Sequence, residues 1–201
     1  MNRILLGAAI TGENYHEIEL LAKDDETVLD GRTEQGNTCL HVATICGRMD
    51  FCSMAVRCRP SLLAAFNNDE ETPLLTAVKS HYGSSLLATF LLNKYLEHNL
   101  NDYILKQDKD NCNVLHHAIR SGHKNLALDL IEKSPAALSQ ALNKCDESPI
   151  FMAVLRKDFE EVCLELLKIL PGTHDSVSKY SGINGSNALH AAVKYDNIGE
   201  T

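Results

Sequence analysis

The chain has 201 residues, of which 44% are hydrophobic and 23% are charged, and its formal net charge is −8. That charge argues against a nucleic-acid partner, because binding to nucleic acid depends on lysine and arginine side chains that neutralise phosphates. The apolar run at the amino terminus, MNRILLGAAI, is too short for a secretory signal or a membrane span, so we expect a soluble chain that does not itself contact a membrane.

The seven cysteines are an odd number, and no two of them are spaced as Cys-x-x-Cys. Their distribution indicates neither a disulfide framework nor a zinc site, and we expect no metal and no cofactor. It favours a reducing compartment, so we expect a cytoplasmic chain, with the nucleus as the other reducing location.

One six-residue motif recurs along the chain. Its copies begin at residues 38, 72, 113, 148 and 187 and read TCLHVA, TPLLTA, NVLHHA, SPIFMA and NALHAA, with a degenerate copy, ILLGAA, at residue 4. The third position of the motif recurs at intervals of 34, 34, 41, 35 and 39 residues. Such a period predicts an array of helical repeats in which each repeat packs on its neighbours.

The first two predicted repeats cover about residues 3–33 and 34–67. In the first, apolar residues at 4–9 and 18–22 predict two short helices separated by Gly12. In the second, Thr38 is predicted to cap an inner helix that ends at Gly47, and an outer helix follows over 51–58. Pro60 is expected to end that outer helix, with one more apolar turn over 61–66.

The third predicted repeat, about 68–107, has Thr72 as its helix cap and Pro73 at the first helical position, where the missing N–H is tolerated. Residues 81–85 replace the usual short turn, and an outer helix runs from Leu86 to Leu96. The 41-residue interval places seven extra residues in this repeat. We expect them to form a short added helix or a longer loop over 99–105.

The fourth and fifth predicted repeats cover about 108–142 and 143–181. Their inner helices are capped by Asn113 and Ser148, and their outer helices run through 126–131 and 159–167. Pro135 and Pro171 are expected to end those helices, with a mobile polar loop over 173–179. An incomplete repeat, 182–201, supplies one more inner helix, so residues 1–201 are predicted to form a single array.

These motifs resemble those of the ankyrin-repeat family, whose repeat core is Thr-Pro-Leu-His-x-Ala. The resemblance covers nearly the whole chain and implies an all-α solenoid of stacked helix-turn-helix units with hairpin-like loops. The segments NNDEETPLLTAV, ILKQDKDNCNVLHHAIRSGH, ALNKCDESPIFMAV and YSGINGSNALHAAV are similar to plant ankyrin proteins. The longer members of that plant family end in a membrane-embedded domain and act in cell-death and defence control.

Histidines occupy the fourth motif position as His41, His116 and His190. A metal or acid–base site is one interpretation, but the histidines are a repeat or more apart and have no carboxylates at matching offsets. The ankyrin resemblance implies a structural role instead, in which each ring binds the backbone of a neighbouring hairpin. Leu75 and Phe151 replace the histidine in the alternate repeats.

The cysteines divide into two sets by position. Apolar neighbours at helical positions predict that Cys39, Cys52, Cys58 and Cys163 are buried. Inner-helix and hairpin positions predict that Cys46, Cys112 and Cys145 are exposed. A redox role is open only for the second set, and only Cys145 has a basic neighbour, Lys144, to lower its thiol pKa.

Charged residues suggest a binding surface at the ends of the inner helices. Seven residues beyond each cap lie Ile45, Lys79, Arg120, Leu155 and Lys194, with Arg156 one further, and the ankyrin resemblance implies that this position faces a concave binding groove. The hairpin tips are mostly acidic, at Glu34, Asp69, Glu70, Glu71, Asp108, Asp110, Asp146 and Glu147. A basic row beneath an acidic rim would orient a partner that carries both charges. The alternative is that these are ordinary solvated helix faces.

The residues predicted to contact a partner are therefore Lys79, Arg120, Arg156, Lys194, Ile45, Glu34, Asp69, Glu71, Lys109 and Asp110. The sequence has no glycine-rich phosphate loop, no Gly-x-Ser-x-Gly elbow and no His-Glu-x-x-His pair, so we expect no enzymatic activity. The function favoured is a protein–protein interaction module or scaffold in plant signalling or defence. Two alternatives stay open: the cytosolic regulatory domain of a membrane-anchored protein, and the targeting arm of an enzyme.

Overall fold

The computed structural model describes residues 1–80, 85–134 and 136–169, and every regular element in those ranges is helical. The chain divides into two compact units, Met1–Lys109 and Asp110–Thr201. Five predicted features lie outside the described residues: the 81–84 connection, Pro135, the stop at Pro171, the loop 173–179, and the last motif with His190 and Lys194. The repeat boundaries and the single array over residues 1–201 stay predictions.

Unit 1 is built from paired inner and outer helices. The helices are α1 (Arg3–Thr11), α2 (Tyr15–Asp24), α3 (Cys39–Ile45), α4 (Met49–Cys58), α5 (Pro73–Lys79), α6 (Ser85–Glu97) and α7 (Asn101–Ile104), and Glu26–Asp30 and Pro60–Ala64 are 3-10 helices. Inner helix α3 packs against α1, α4 and α5, and α5 packs against α6. The short helix α7 lies within the predicted 99–105 segment, but it has the same place after its outer helix as Pro60–Ala64 has after α4, so it is not an added element. The outer helix α6 is itself longer than α4, with 13 residues against 10.

Unit 2 repeats the same arrangement. Its described helices are α8 (Val114–Arg120), α9 (Lys124–Lys133), α10 (Ala137–Gln140), α11 (Pro149–Val154) and α12 (Glu160–Ile169). Inner helix α8 packs on α9 and α11, and outer helix α12 packs on α9 and α11. Helix α10 and the 3-10 helix Glu26–Asp30 were not predicted from the sequence.

The predicted caps start the inner helices. The Thr38 and Thr72 hydroxyls accept the backbone N–H three residues on, at 3.4 and 3.3 Å, and the Ser148 hydroxyl does the same at 3.3 Å. Each cap satisfies a donor that the first helical turn leaves without an intrahelical partner. Pro73 and Pro149 lie in the first helical turn, where the missing N–H of proline costs no intrahelical hydrogen bond.

The third motif position faces the core in every described repeat that carries the full motif. Leu40 and Leu74 are buried in unit 1, and Leu115 and Ile150 are buried in unit 2. Burying a side chain of this size stabilises the fold by about 1.5–3 kcal/mol. The inner helices therefore stack side by side within each unit, as the repeat period predicted. None of the described helices has both the length and the apolar character to cross a membrane.

Candidate protein-binding surface

The hairpin 67–71, which precedes α5, is closed by one asparagine side chain. The backbone N–H of Asn67 donates to the Glu71 carbonyl at 3.1 Å. The Asn67 Oδ1 accepts the N–H groups of Asp69 and Glu71, each at 2.9 Å, and its Nδ2 donates to Glu71 Oε2 at 3.0 Å. These bonds fix the backbone that carries Asp69 at the tip.

The hairpin 143–147 in unit 2 is closed by the same kind of asparagine bonds. The Asn143 Oδ1 accepts the N–H groups of Cys145 and Glu147, at 2.8 and 3.0 Å, and its Nδ2 donates to Glu147 Oε2 at 2.8 Å. This asparagine was not predicted, although the sequence carries a signal for it: an Asn four residues before a Glu that directly precedes a helix cap. Asparagine suits the position because its side chain readily bonds the backbone two residues on.

Side chains also tie neighbouring hairpins of unit 1 together. The backbone N–H of Asn68 donates to the Gln35 carbonyl, and its Nδ2 donates to the Glu34 carbonyl, both at 3.0 Å. Arg32 reaches across to the Phe66 carbonyl at 2.6 Å. The two tips are thus held in a fixed relation by bonds between residues about one repeat apart.

The predicted structural role of the motif histidines is confirmed at both described positions, and we call His41 and His116 the histidine pins. His41 Nε2 lies 3.0 Å from the Glu71 carbonyl oxygen, and its Nδ1 lies 2.8 Å from the Thr38 hydroxyl. His116 Nε2 lies 3.1 Å from the Glu147 carbonyl oxygen. Burial lowers the pKa of His41 to about 4, because an apolar environment disfavours the charged ring. Neither ring is placed as a metal ligand or an acid–base catalyst; each joins an inner helix to the next hairpin.

Lys79, a member of the predicted basic row, is neutralised inside unit 1. Its ammonium forms a short ion pair with Glu71 and lies 3.3 Å from Asp108 Oδ2. Partial burial opposes the charge, but the hydrogen bond that Lys79 donates to Glu71 and the negative charges of Glu71 and Asp108 raise the pKa of Lys79 above its usual value. Glu71 and Asp108 are buried. Lys79 is nevertheless exposed, so a partner that used its charge would compete with these two carboxylates, whereas Glu71 lies out of reach.

The two arginines of the row are also engaged within unit 2. The Arg156 guanidinium lies over the Phe159 ring, 4.8 Å from its centroid, and Nη1 donates to the Arg120 carbonyl at 3.2 Å. Its Nε lies 3.5 Å from Asp158 Oδ1. Arg120 is exposed, and its Nη2 contacts Cys112 Sγ at 3.5 Å. Arg156 therefore covers the end of the preceding inner helix, and Arg120 is the more accessible cation.

In unit 1 too, side chains bond to the carbonyl ends of inner helices. Arg48 Nε donates to the Ile10 carbonyl near the end of α1, and the Ser80 hydroxyl donates to the Ile45 carbonyl at the end of α3, both at 2.7 Å. The last carbonyls of a helix have no intrahelical donor, so each bond satisfies an orphan acceptor. Arg48 and Ser80 were not predicted to have this role, because nothing in the local sequence relates them to a helix about one repeat earlier.

The remaining predicted contact residues lie on the surface. Asp69 and Lys109 form an exposed ion pair at 2.8 Å, with side chains 62% and 53% exposed, and the hydrogen bond from Lys109 lowers the pKa of Asp69. Ile45 is 38% exposed. Glu34 and Asp110 are exposed as well. The structure thus joins Glu71, Lys79 and Asp108 into one ionic cluster and leaves Glu34 and Asp69 at the rim; whether these residues contact a partner stays a prediction.

The prediction that Cys112 is exposed is wrong. Cys112 is buried, because it directly precedes the cap Asn113 and its sulfur turns in beneath Arg120. Cys145 is exposed and Cys39 and Cys52 are buried, as predicted. Cys46, predicted to be exposed, and Cys58 and Cys163, predicted to be buried, are half-buried. Burial raises the pKa of Cys39 to about 12 and that of Cys163 to about 11, so both remain unreactive thiols at neutral pH.

No protein-family model matches this sequence, and no curated protein matches it. Solved structures do share its fold over nearly the whole length. An ankyrin repeat domain, ABAYE2397 from Acinetobacter baumannii AYE, is similar with a TM-score of 0.74 and 19% sequence identity, covering 98% of this chain and 94% of the other.

A second similar structure is a chain in the complex of Bd0816, a predatory endopeptidase from Bdellovibrio bacteriovorus, with the immunity protein Bd3460. Its TM-score is 0.70 at 22% identity, and the coverage is again 98% and 94%. Identities this low establish the fold and leave the function to be argued from this chain's own surface.

Proposed function

We propose that this chain, which has the ankyrin-repeat fold, is a non-enzymatic protein-binding module whose partner contacts the hairpin tips and the ends of the inner helices. The observation that carries the proposal is the fixed hairpin rim of unit 1, where Asn68 and Arg32 lock two successive tips together. A rim that is rigid before binding loses little conformational freedom when a partner docks.

The tips are better placed for contact than the basic row. Glu34 and Asp69 are exposed, and the ion pair of Asp69 with Lys109 lies on the surface. The charge of Lys79 is instead matched by two buried carboxylates, and Arg156 donates to the end of the preceding inner helix. Exposed charges at an interface mainly govern the association rate and the choice of partner. A partner with a basic contact face fits this rim.

The occurrence of the fold in a protein complex lends support. One of the similar structures is a complex between an endopeptidase and an immunity protein, so a chain with this fold exists in a protein–protein assembly. We extend that mode of action, binding another protein, to the present chain. The extension includes neither the endopeptidase nor the immunity function.

The test compares charge reversal on the rim with matched charge reversal elsewhere. The rim variant carries Glu34→Lys and Asp69→Lys, and the control carries Asp50→Lys and Glu132→Lys on outer helices α4 and α9, where both side chains are exposed. Proteins captured by the wild type are identified, and the affinity of one purified partner is measured by calorimetry. We expect the rim variant to lose at least tenfold in affinity, about 1.4 kcal/mol, and the control to keep it. Equal affinities for both variants would refute the rim as the contact.

The basic row needs a separate variant. Substituting Lys79 would leave Glu71 and Asp108 as buried charges without their cation, which destabilises the fold and confuses the result. Arg120→Ala avoids that problem, since Arg120 is exposed. If the row binds an acidic segment, this variant weakens binding and reduces its salt dependence; unchanged affinity at low and high salt would leave the row as ordinary solvated surface.

The setting we propose is plant signalling or defence, in the cytoplasm, and it is supported by the plant-like segments around the motifs at Thr72, Asn113, Ser148 and Asn187. The same segments favour a second candidate, the cytosolic regulatory domain of a membrane-anchored protein. A parent transcript that encodes a run of about 20 apolar residues downstream would support the second candidate. A plant partner captured by the wild type and lost by the rim variant would support the first.

A further inference from the structure

The two histidine pins differ in the residue that caps their helix. In unit 1 the cap is Thr38, and its hydroxyl lies 2.8 Å from His41 Nδ1. A hydroxyl can rotate and donate its hydrogen to that nitrogen. The His41 Nε2 then carries the ring's single proton and donates to the Glu71 carbonyl, so a neutral ring satisfies every contact.

In unit 2 the cap is Asn113, and the orientation of its amide is fixed by three bonds. Its Nδ2 donates to the Leu138 carbonyl at 2.7 Å. Its Oδ1 accepts the backbone N–H groups of Leu115 and His116, at 3.0 and 3.1 Å. Exchanging the two amide atoms would set the NH₂ group against two donors and the oxygen against a carbonyl. The atom beside the His116 ring is therefore the oxygen, which has no hydrogen to donate.

Both ring nitrogens of His116 consequently face oxygen acceptors. Nδ1 lies 2.8 Å from Asn113 Oδ1, and Nε2 lies 3.1 Å from the Glu147 carbonyl oxygen. A neutral imidazole has only one N–H, so one of these contacts would bring two lone pairs together. The backbone N–H of Asn113 also points at Nδ1, but from 3.3 Å, and the shorter contact is the stronger one.

We propose that His116, unlike His41, is protonated on both ring nitrogens in the folded protein at neutral pH, held as an imidazolium between the Asn113 side chain and the Glu147 carbonyl. Hydrogen bonds from a charged donor are roughly twice as strong as neutral ones, which offsets the cost of burying the ring. The charge is a consequence of replacing a threonine cap by an asparagine cap.

The charges around this ring are of both signs. On α8 itself the titratable neighbours are His117 and Arg120. Helices α10 and α11 carry no titratable group, and α9 and the 143–147 hairpin carry Lys124, Asp129, Glu132, Lys133, Lys144, Cys145, Asp146 and Glu147. Glu147, whose carbonyl accepts the Nε2 proton, also carries a carboxylate, so the hairpin that meets the ring is the side that favours a cation.

The two pins then respond to pH in opposite directions. A ring that must stay neutral, His41, loses its contribution to stability as acid charges the unfolded chain. A ring that is charged when folded, His116, adds stability at acidic pH, and that contribution is lost when alkali removes its proton. Acid would loosen the 67–71 hairpin of unit 1, and alkali would loosen the 143–147 hairpin of unit 2.

The test reads the protonation state directly by NMR of ring nitrogens in the ¹⁵N-labelled full chain. The ring signals are assigned by their loss in His116→Gln and His41→Gln, and His41 serves as the internal neutral reference. We expect two protonated-type nitrogen shifts for His116 at neutral pH and one protonated and one unprotonated nitrogen for His41. A spectrum in which both histidines show the neutral pattern would overturn the proposal.

A second variant tests whether the cap is the cause. Asn113→Thr gives unit 2 the cap of unit 1, and we expect His116 to change to the neutral pattern of His41. If the variant folds and His116 keeps two protons, the amide oxygen is not what holds the charge and the proposal is wrong. Should that variant fail to fold, the wild-type spectrum alone still decides.

Discussion

Acidification is expected to destabilise unit 1 through His41. The ring is buried, its Nε2 donates to the Glu71 carbonyl, and its Nδ1 accepts the backbone N–H of Thr38 at 3.3 Å. Burial thus holds the pKa of His41 at about 4, against about 6.5 for an exposed histidine.

The sign and size of the effect follow from proton uptake. Because the folded pKa lies below the unfolded one, the unfolded chain takes up the proton first, and stability falls as the pH drops from about 6.5 towards 4. Between about pH 7 and pH 5 the unfolded ring gains about three-quarters of a proton, while the folded ring gains about a tenth. The free energy of unfolding should therefore fall by about 2 kcal/mol over that interval from His41 alone.

The assay is urea unfolding followed by helical circular dichroism at a series of pH values, for the wild type and His41→Gln. Glutamine can still donate to the Glu71 carbonyl but does not titrate. Subtracting the two pH profiles removes the contributions of all other groups, provided that distant sites act additively. A difference that stays flat between about pH 7 and pH 5 would show that His41 is not buried as a neutral pin, and would refute the reasoning.

Three backbone substitutions give further tests by the same unfolding assay. Gly36→Ala should destabilise the protein by about 2–3 kcal/mol, because φ is +75° there and a Cβ would lie 2.9 Å from the Asn68 backbone nitrogen; a loss under about 0.5 kcal/mol would contradict the hairpin contact. Gly7→Ala, the matched control inside α1, should stabilise by about 0.5–1 kcal/mol, since nothing lies within 4 Å of the added methyl group. Glu70→Gly should stabilise by about 0.5–1 kcal/mol by relieving a φ of 62°, and a net loss would mean that the Glu70 side chain has a role of its own.

Much of the local architecture was predictable because it depends on neighbours in sequence. The caps Thr38, Thr72 and Asn113 act within three residues, and the third motif position is buried wherever the described repeats carry the full motif. Sequence spacing also predicted extra residues in the third repeat, but it could not show that a short helix follows the outer helix in the other described repeats as well. The ankyrin resemblance added the role of His41, whose ring bonds the next hairpin.

The partners of the charged side chains could not be predicted from the local sequence. Lysine and arginine side chains are long, and their partners lie about one repeat away: Asp108 for Lys79, the Ile10 carbonyl for Arg48, and the Arg120 carbonyl for Arg156. Which of these atoms come within hydrogen-bonding distance depends on how the repeats pack within each unit.

The sequence by itself determined a repeat array with capped helices and inward-facing leucines, since those features need only the local chain and a regular period. Tertiary structure decided that Lys79 is neutralised, that Arg156 covers a helix end, and that Cys112 is buried. The physical reason is that charge pairing and burial depend on atoms contributed by a neighbouring repeat, and only the packed structure shows which atoms those are.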